Sequence, residues 1–155
     1  METNLLKREP DESDSRCSIS RCISDGRAHP TDAGADLRSK ESHQLWSGMQ
    51  HLFDTGVAVQ IPKGYVGLVF NRSSQGKIGI VIANGTGVID SDYRGTIKVL
   101  LKNTGTTNYN VTALDTRIAQ LVIVPIVIAD FVEHLDNSDW NGTTRGEGGF
   151  GSTGT

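Results

Sequence analysis

A chain of 155 residues has room for one domain and hardly two. Hydrophobic residues make up 36%, with four Phe, three Tyr and two Trp, so the core is thin and association with further copies would help to bury surface. A net charge of −3 and a pI near 5.7 exclude a general nucleic-acid-binding domain, which would be basic.

Residues 1–16 are polar and charged, with Lys7, Arg8, Glu9, Asp11, Glu12 and Asp14, and are expected to form a flexible arm. They hold no apolar stretch of a secretory leader, so none is expected. No apolar run approaches the ~20 residues of a membrane span. The longest, 121–129, contains Pro125 and fits a buried strand. A cytoplasmic protein is expected, in the host cytoplasm if the source is viral, with no membrane partner. Cys17 and Cys22 are the only two cysteines, too few for a zinc centre, and read as reduced thiols.

A β domain is expected over 17–140. Cys17, Ile19 and Ile23 alternate weakly with polar residues, as in a first strand. Residues 25–36, with Gly26, Pro30 and Gly34, read as loop. From Phe53 the pattern changes. Val57, Val59 and Ile61 alternate with Ala58 and Gln60, and Pro62-Lys63-Gly64 turns the chain. Val66, Leu68 and Phe70 predict the next strand, and Ile78, Ile80 and Ile82 another. Asn84-Gly85 then predicts a hairpin, since both residues tolerate positive φ. Val88 and Ile89 return. Ile97, Val99 and Leu101 predict a strand closed by Asn103-Thr104-Gly105, 118–127 is apolar and β-branched, and 131–135 supplies a last short strand. No stretch has a helical period with caps. Short strands joined by glycine-rich turns predict an all-β sandwich, barrel or jelly roll. Residues 141–155, glycine-rich around Arg145 and Phe150, form a C-terminal arm too short and polar to pack alone.

Four segments carry chemistry, each beside a plainer alternative. The guanidinium of Arg72 and the hydroxyls of Ser73 and Ser74, just after a strand, suit phosphate oxygens; a surface turn is the alternative. Asn84 can read the edge of a flat base held in a slot between the strands around Gly79–Ile82 and Val88; a turn needs the same residue for geometry alone. Asp90 at a strand end can hold and deprotonate a water, and Tyr93 can lie against a sugar; a polar turn is equally compatible. In the tail, Arg145 with Gly148, Gly149 and Gly151 can wrap an anion, Ser152 adds a donor, and Phe150 can stack on a base; a disordered terminus has the same composition. His29, His43, His51 and His134 have no ligand spacing and read as surface or loop residues.

Taken together, the segments resemble the trimeric deoxyuridine triphosphatase family. Ala33-Gly34-Ala35-Asp36-Leu37, Arg72-Ser73-Ser74, Asn84 through Gly95, Arg117-Ile118-Ala119-Gln120-Leu121 and Arg145 through Gly154 match that family's motifs in order. The resemblance runs from about Arg27 to the C-terminus. It implies a jelly-roll-like subunit, a homotrimer whose active sites are shared between chains, and hydrolysis of dUTP to dUMP and pyrophosphate. That activity limits uracil incorporation into DNA and supplies dUMP for thymidylate synthesis. It further implies Mg²⁺ held by the triphosphate, with Asp36 near the metal through water. By the same resemblance Asp90 positions the attacking water. Asn84 recognises uracil with backbone at Gly87, Val88 and Ile89, Tyr93 lies beneath the deoxyribose, Lys98 contacts the nucleotide and Phe150 caps the base. Arg72, Ser73, Ser74, Gln120, Arg145, Gly151 and Ser152 are the implied phosphate contacts.

Some features depart from the family pattern. Asn71 stands where a small residue or Pro is common, the stretch from Arg72 to Asn84 is one residue shorter than in many members, and Leu45-Trp46-Ser47-Gly48-Met49 replaces a Pro-Gly turn. Two other readings are weighed against hydrolysis. A dCTP deaminase shares the implied fold but needs a Glu where this chain has Leu100, which cannot move a proton. A nucleotide sensor or partner-binding protein would bind without turnover.

Overall fold

The computed structural model describes residues 18–20, 27–133, 143, 144, 146 and 148. The N-terminal arm, both cysteines, and Arg145, Phe150, Gly151 and Ser152 of the C-terminal arm lie outside the described residues. In chain order the elements are β1 (Ser18–Ser20), β2 (Ala35–Arg38), β3 (His43–Leu45), β4 (Gln50–Asp54), β5 (Ala58–Gln60), β6 (Tyr65–Phe70), α1 (Ser73–Gly76), β7 (Ile80–Ile82), β8 (Gly87–Ile89), β9 (Lys98–Asn103), β10 (Tyr109–Val111) and β11 (Arg117–Pro125). The expected all-β, jelly-roll-like class is borne out.

One sheet has the order β2-β11-β6-β8 and a second the order β4-β9-β7, with β10-β3 and β1-β5 as separate pairs. Every pairing is antiparallel. The alternation read from the sequence is the alternation of burial around β5 and β9, but not in β6, where Val66, Gly67 and Val69 are buried while Leu68 is half-buried and Phe70 exposed. Along β9, Val99, Leu101 and Asn103 face inward while Lys98 and Lys102 are exposed. The core joins Phe53 of β4, Leu37 of β2, Leu45 of β3, Ile80 of β7, Leu101 of β9 and Ile118 of β11. Each such side chain contributes about 1.5–3 kcal/mol by leaving water. Asn103 is one of four polar residues buried among the described residues, with Ser39, Thr55 and Gln75. Its Nδ2 donates to the carbonyls of Leu45 and Thr107, and its Oδ1 accepts from the Gly105 N–H.

Several sequence expectations need correction. The strands β2, β3, β4 and β10 carry no clean period of two, because each presents only one or two residues to the core. Ala35 and Asp36, read as the end of a loop, are in β2 and pair with Leu121 and Gln120. Ile78 stands outside β7, 53% exposed, because Gly79 turns the chain with φ 80°. A Cβ at Gly79 would fall 2.7 Å from the Gly105 nitrogen, so glycine is needed for that approach. Asn84-Gly85 does not close a hairpin: β7 pairs with β9 and β8 pairs with β6. Gly85 alone of the two has positive φ, and the turn hands the chain from one sheet to the other. Residues 131–133 are not a strand, and 134–135 lie outside the described residues. One turn of helix, α1, appears where none was expected. His43 and His51 are not loop residues. They stand half-buried on β3 and β4, stacked at 3.8 Å, with His51 Nε2 3.0 Å from Glu41 Oε1.

Candidate active site

The end of β6, the turn α1, β2 and β11 converge on a cleft of about 380 Å³. Asp36 lies at its centre. Arg72 Nε donates to Asp36 Oδ1 at 2.8 Å, and Arg117 Nη1 donates to Asp36 Oδ2 at 3.1 Å. The β2–β11 register sets Gln120 opposite Asp36, and Gln120 Nε2 donates to the Asn71 carbonyl at 3.2 Å. A Cβ at Gly34 would lie 2.7 Å from Gln120 Oε1, so a side chain there would displace the Gln120 amide. Arg72 is the residue before α1, and its Nη1 is 3.5 Å from Ser74 Oγ; both serines are exposed at the cleft. Asp36, Arg72, Ser73, Ser74 and Gln120 are therefore gathered in one place. Two cationic planes with hydroxyls and an amide around one opening form a surface suited to a polyanion.

Arg117 and Asp32 also line this cleft, and the reading of individual residues assigned neither a place there. For Arg117 the signal was its position at the head of the fourth motif. Asp32 looked like an ordinary loop residue, and its Oδ2 accepts from the His29 N–H. Asn71, where the family pattern departs, ties the cleft to β7: its Nδ2 donates to the Ile80 carbonyl at 2.9 Å.

A second group of residues follows β7. Asn84 is exposed at the turn between the sheets, and β8 is an edge strand with Val88 facing outward. Gly87 packs closely on β6, where a Cβ would meet Val69 Cβ at 3.1 Å. Asp90 leaves β8 exposed, and its carbonyl accepts from the Tyr93 N–H at 3.1 Å. Tyr93 Oη donates to the Thr96 carbonyl at 2.9 Å, which lays the ring over Gly95. Arg94 Nη1 closes the turn by donating to the carbonyls of Ser91 and Tyr93. Lys98 is exposed on β9 opposite Asp54. The carboxyl of Asp54 is held below the usual range, first by the Gly56 N–H at 2.8 Å, with help from Thr96, Lys40 and Lys98 and against partial burial.

Asp90 does not line the cleft that holds Asp36 and Arg72. Asp90, with Ser91, Asp92 and Arg94, lines a separate concavity of about 1060 Å³ walled by Lys63, Tyr65 and the segment 126–131. That wall is apolar and open, with Val127 91% and Phe131 98% exposed.

Among the described residues no group of three or more His, Cys, Asp or Glu forms a metal cage. The donors in the cleft nevertheless fit Mg²⁺, which favours oxygen, keeps several waters and takes its remaining ligands from phosphates. Both oxygens of Asp36 are engaged by guanidinium groups, a state that suits contact with the ion through water.

The family model described as dUTPase matches residues 23–154. The chain is 48% identical over 130 residues to the deoxyuridine 5'-triphosphate nucleotidohydrolase of Cutibacterium acnes, covering 82% of each. It is similar to a variant dUTPase of Staphylococcus bacteriophage 80alpha solved with dUpNHpp, with TM-score 0.75 and 29% identity over 90% of this chain and 99% of that one. It is also similar to a variant dUTPase from phage phi11 of S. aureus, solved to show the coordination of a structural Mg(II) ion. There the TM-score is 0.67 and the identity 29%, over 78% of this chain and 97% of that one. No helix among the described residues is long and apolar enough to cross a membrane.

Proposed function

This chain belongs to the dUTPase family and is a dUTP-hydrolysing enzyme; we propose that it does so as a homotrimer with three shared active sites, by attack of an Asp90-held water on the α-phosphorus. The observation that carries this reading is the separation just described. The phosphate-type residues line one concavity and Asp90 another, which supports a site completed by a second copy.

In the proposed site, Arg72, Ser73, Ser74 and Gln120 of one chain hold the triphosphate. Asn84, with the backbone at Gly87, Val88 and Ile89 of a neighbour, holds uracil in the gap that opens where β7 and β8 part into different sheets. Uracil and cytosine present opposite donor patterns at one edge, and a hydrogen-bonding slot can separate such bases by about 10⁴. Tyr93 lies against the deoxyribose and leaves no room for a 2′-hydroxyl, a rejection by shape of about 10². Lys98 adds a nucleotide contact. Arg145, Gly151 and Ser152 of the third chain reach the terminal phosphates, and Phe150 stacks on the base.

Asp90 orients a water in line with the bond to be broken and takes its proton as the oxygen bonds to the α-phosphorus. The bond from that phosphorus to the bridging oxygen breaks, and the pair of electrons leaves on pyrophosphate, giving dUMP. Arg72 offsets the charge growing on the leaving group. Mg²⁺, when bound to the triphosphate, supplies further charge neutralisation there, with Asp36 holding its waters. Closure of the C-terminal arm expels bulk water and strengthens the guanidinium contacts. The proposed setting is the cytoplasm, where the reaction limits uracil in DNA and supplies dUMP for thymidylate synthesis. Leu100 of β9, at the position where a deaminase would need a Glu, cannot move a proton and disfavours deamination.

The test is pyrophosphate release from dUTP, dCTP, dTTP and UTP with Mg²⁺, alongside mass by light scattering. Release from dUTP alone, by a trimer, is expected. A monomer fully competent to cleave dUTP would overturn the shared site, and uracil nucleotide formed from dCTP would point to deamination.

A further inference from the structure

Gln75 takes no part in the chemistry above, yet its position beside the phosphate cleft is unusual. It follows Ser73 and Ser74 in α1 and is only 3% exposed. Its Nε2 donates to the Arg117 carbonyl at 2.9 Å and to the Tyr109 hydroxyl at 3.2 Å, so both amide protons are engaged. Its Oε1 is buried without a partner among the described residues. Desolvating that oxygen costs free energy that an apolar side chain of equal length, such as Met, would avoid. What the amide contributes must therefore lie in its two N–H groups.

One of those groups ties α1 to the Arg117 main chain beside the cleft. Arg117 begins β11, and its guanidinium meets Asp36, which in turn meets Arg72. Ser73 and Ser74 stand on α1, immediately before Gln75. A bond from the Gln75 side chain to the Arg117 main chain therefore sets how far the serine hydroxyls stand from the Arg117–Asp36–Arg72 cluster. Resting on the dUTP-hydrolysis reading, we propose that Gln75 is a positioning residue that holds this cleft at the width a triphosphate needs. It touches no substrate itself; it acts through Arg117 and the serine turn. The second bond, to Tyr109, braces the same amide against β10, which lies outside the phosphate cleft.

The experiment compares the wild-type enzyme with Gln75→Met, which keeps the volume but no donor, and Gln75→Glu, which keeps the shape but only accepts near neutral pH. Binding of α,β-imido-dUTP and of 2′-deoxyuridine, which has no phosphate, is measured for each. The expected result is affinity for imido-dUTP about tenfold weaker in both variants, with 2′-deoxyuridine affinity unchanged. Burial raises the pKa of the new Glu, so its deficit relative to wild type is expected to narrow from about pH 8 to about pH 5 as a proton donor returns. Imido-dUTP bound as tightly as by wild type would overturn the proposal, as would equal loss for both ligands, which marks a merely structural role. If either Gln75 variant does not fold, Tyr109→Phe carries the test, with a smaller phosphate-specific loss expected and no loss overturning it. A wild-type enzyme that fails to release pyrophosphate from dUTP would instead sink the underlying reading.

Discussion

At Asp90 the proposed chemistry reduces to one carboxylate and one proton. Asp90→Asn keeps the size and polarity of the side chain and removes only its basicity. Binding of imido-dUTP is expected to survive, while kcat falls by about 10²–10⁴. Near-normal turnover would remove Asp90 from the role of base. A neighbouring glycine carries a different expectation. A Cβ at Gly95 would strike the Tyr93 hydroxyl and ring, so Gly95→Ala must push the ring off its seat and strain the bond to the Thr96 carbonyl. If Tyr93 excludes the 2′-hydroxyl by shape, the preference for dUTP over UTP should shrink by about tenfold, read as the ratio of kcat/KM values. An unchanged ratio would mean that the ring does not guard the sugar. Asp90 and Tyr93 were singled out from residue type and spacing, because the roles proposed for them rest on chemistry carried by a short segment. Arg117 was not singled out, because its role rests on a partner, Asp36, that is 81 residues away in sequence.

Among the elements, β4 ends at Asp54, whose carboxyl gives the fold a pH signature. The folded-state pKa of Asp54 is lowered, chiefly by the Gly56 N–H. A lowered carboxyl stabilises the fold when ionised. That contribution is fully present above the ordinary unfolded pKa and is lost as pH falls through the lower folded value. Asp54→Asn cannot titrate, so the acid-induced drop in the urea midpoint below about pH 4 should be shallower than in wild type. Equal slopes would mean that the Gly56 bond does not favour the charged form. β9 could be read ahead of time because it alternates against a continuous core, and β11 because its apolar, β-branched run is long. The short strands β2, β3 and β10 could not, since each buries a single residue and a period needs repetition to be seen.

For the whole molecule, the open wall at 126–131 and the proposed sharing of the site between copies bear on one property. Val127 and Phe131 expose apolar surface that a monomeric protein seldom leaves in water. They flank the concavity that holds Asp90. If Asp90 of one copy serves the phosphate cleft of another, two dead chains can rescue each other. Asp90→Asn and Arg72→Ala chains, each inactive alone, are to be unfolded together and refolded. Chance pairing should place an intact Asp90 beside an intact Arg72 in about a quarter of the sites, with activity to match. No activity in the mixture would confine both residues to one chain.

Residue identity alone determined the chemistry available here: an all-β chain, a carboxylate beside an aromatic ring, a phosphate-type Arg-Ser-Ser turn, and the family that these motifs resemble. Such properties are local, and a period of two reports which face of a strand is buried. It does not report which strand lies beside it. Only long-range contact decided that β7 and β8 part into different sheets, that Asp36 sits between two guanidinium groups, that Gln75 is buried against the Arg117 main chain, and that Asp90 faces a separate opening. Those outcomes depend on register and packing between segments far apart in sequence, where no short pattern can record a neighbour.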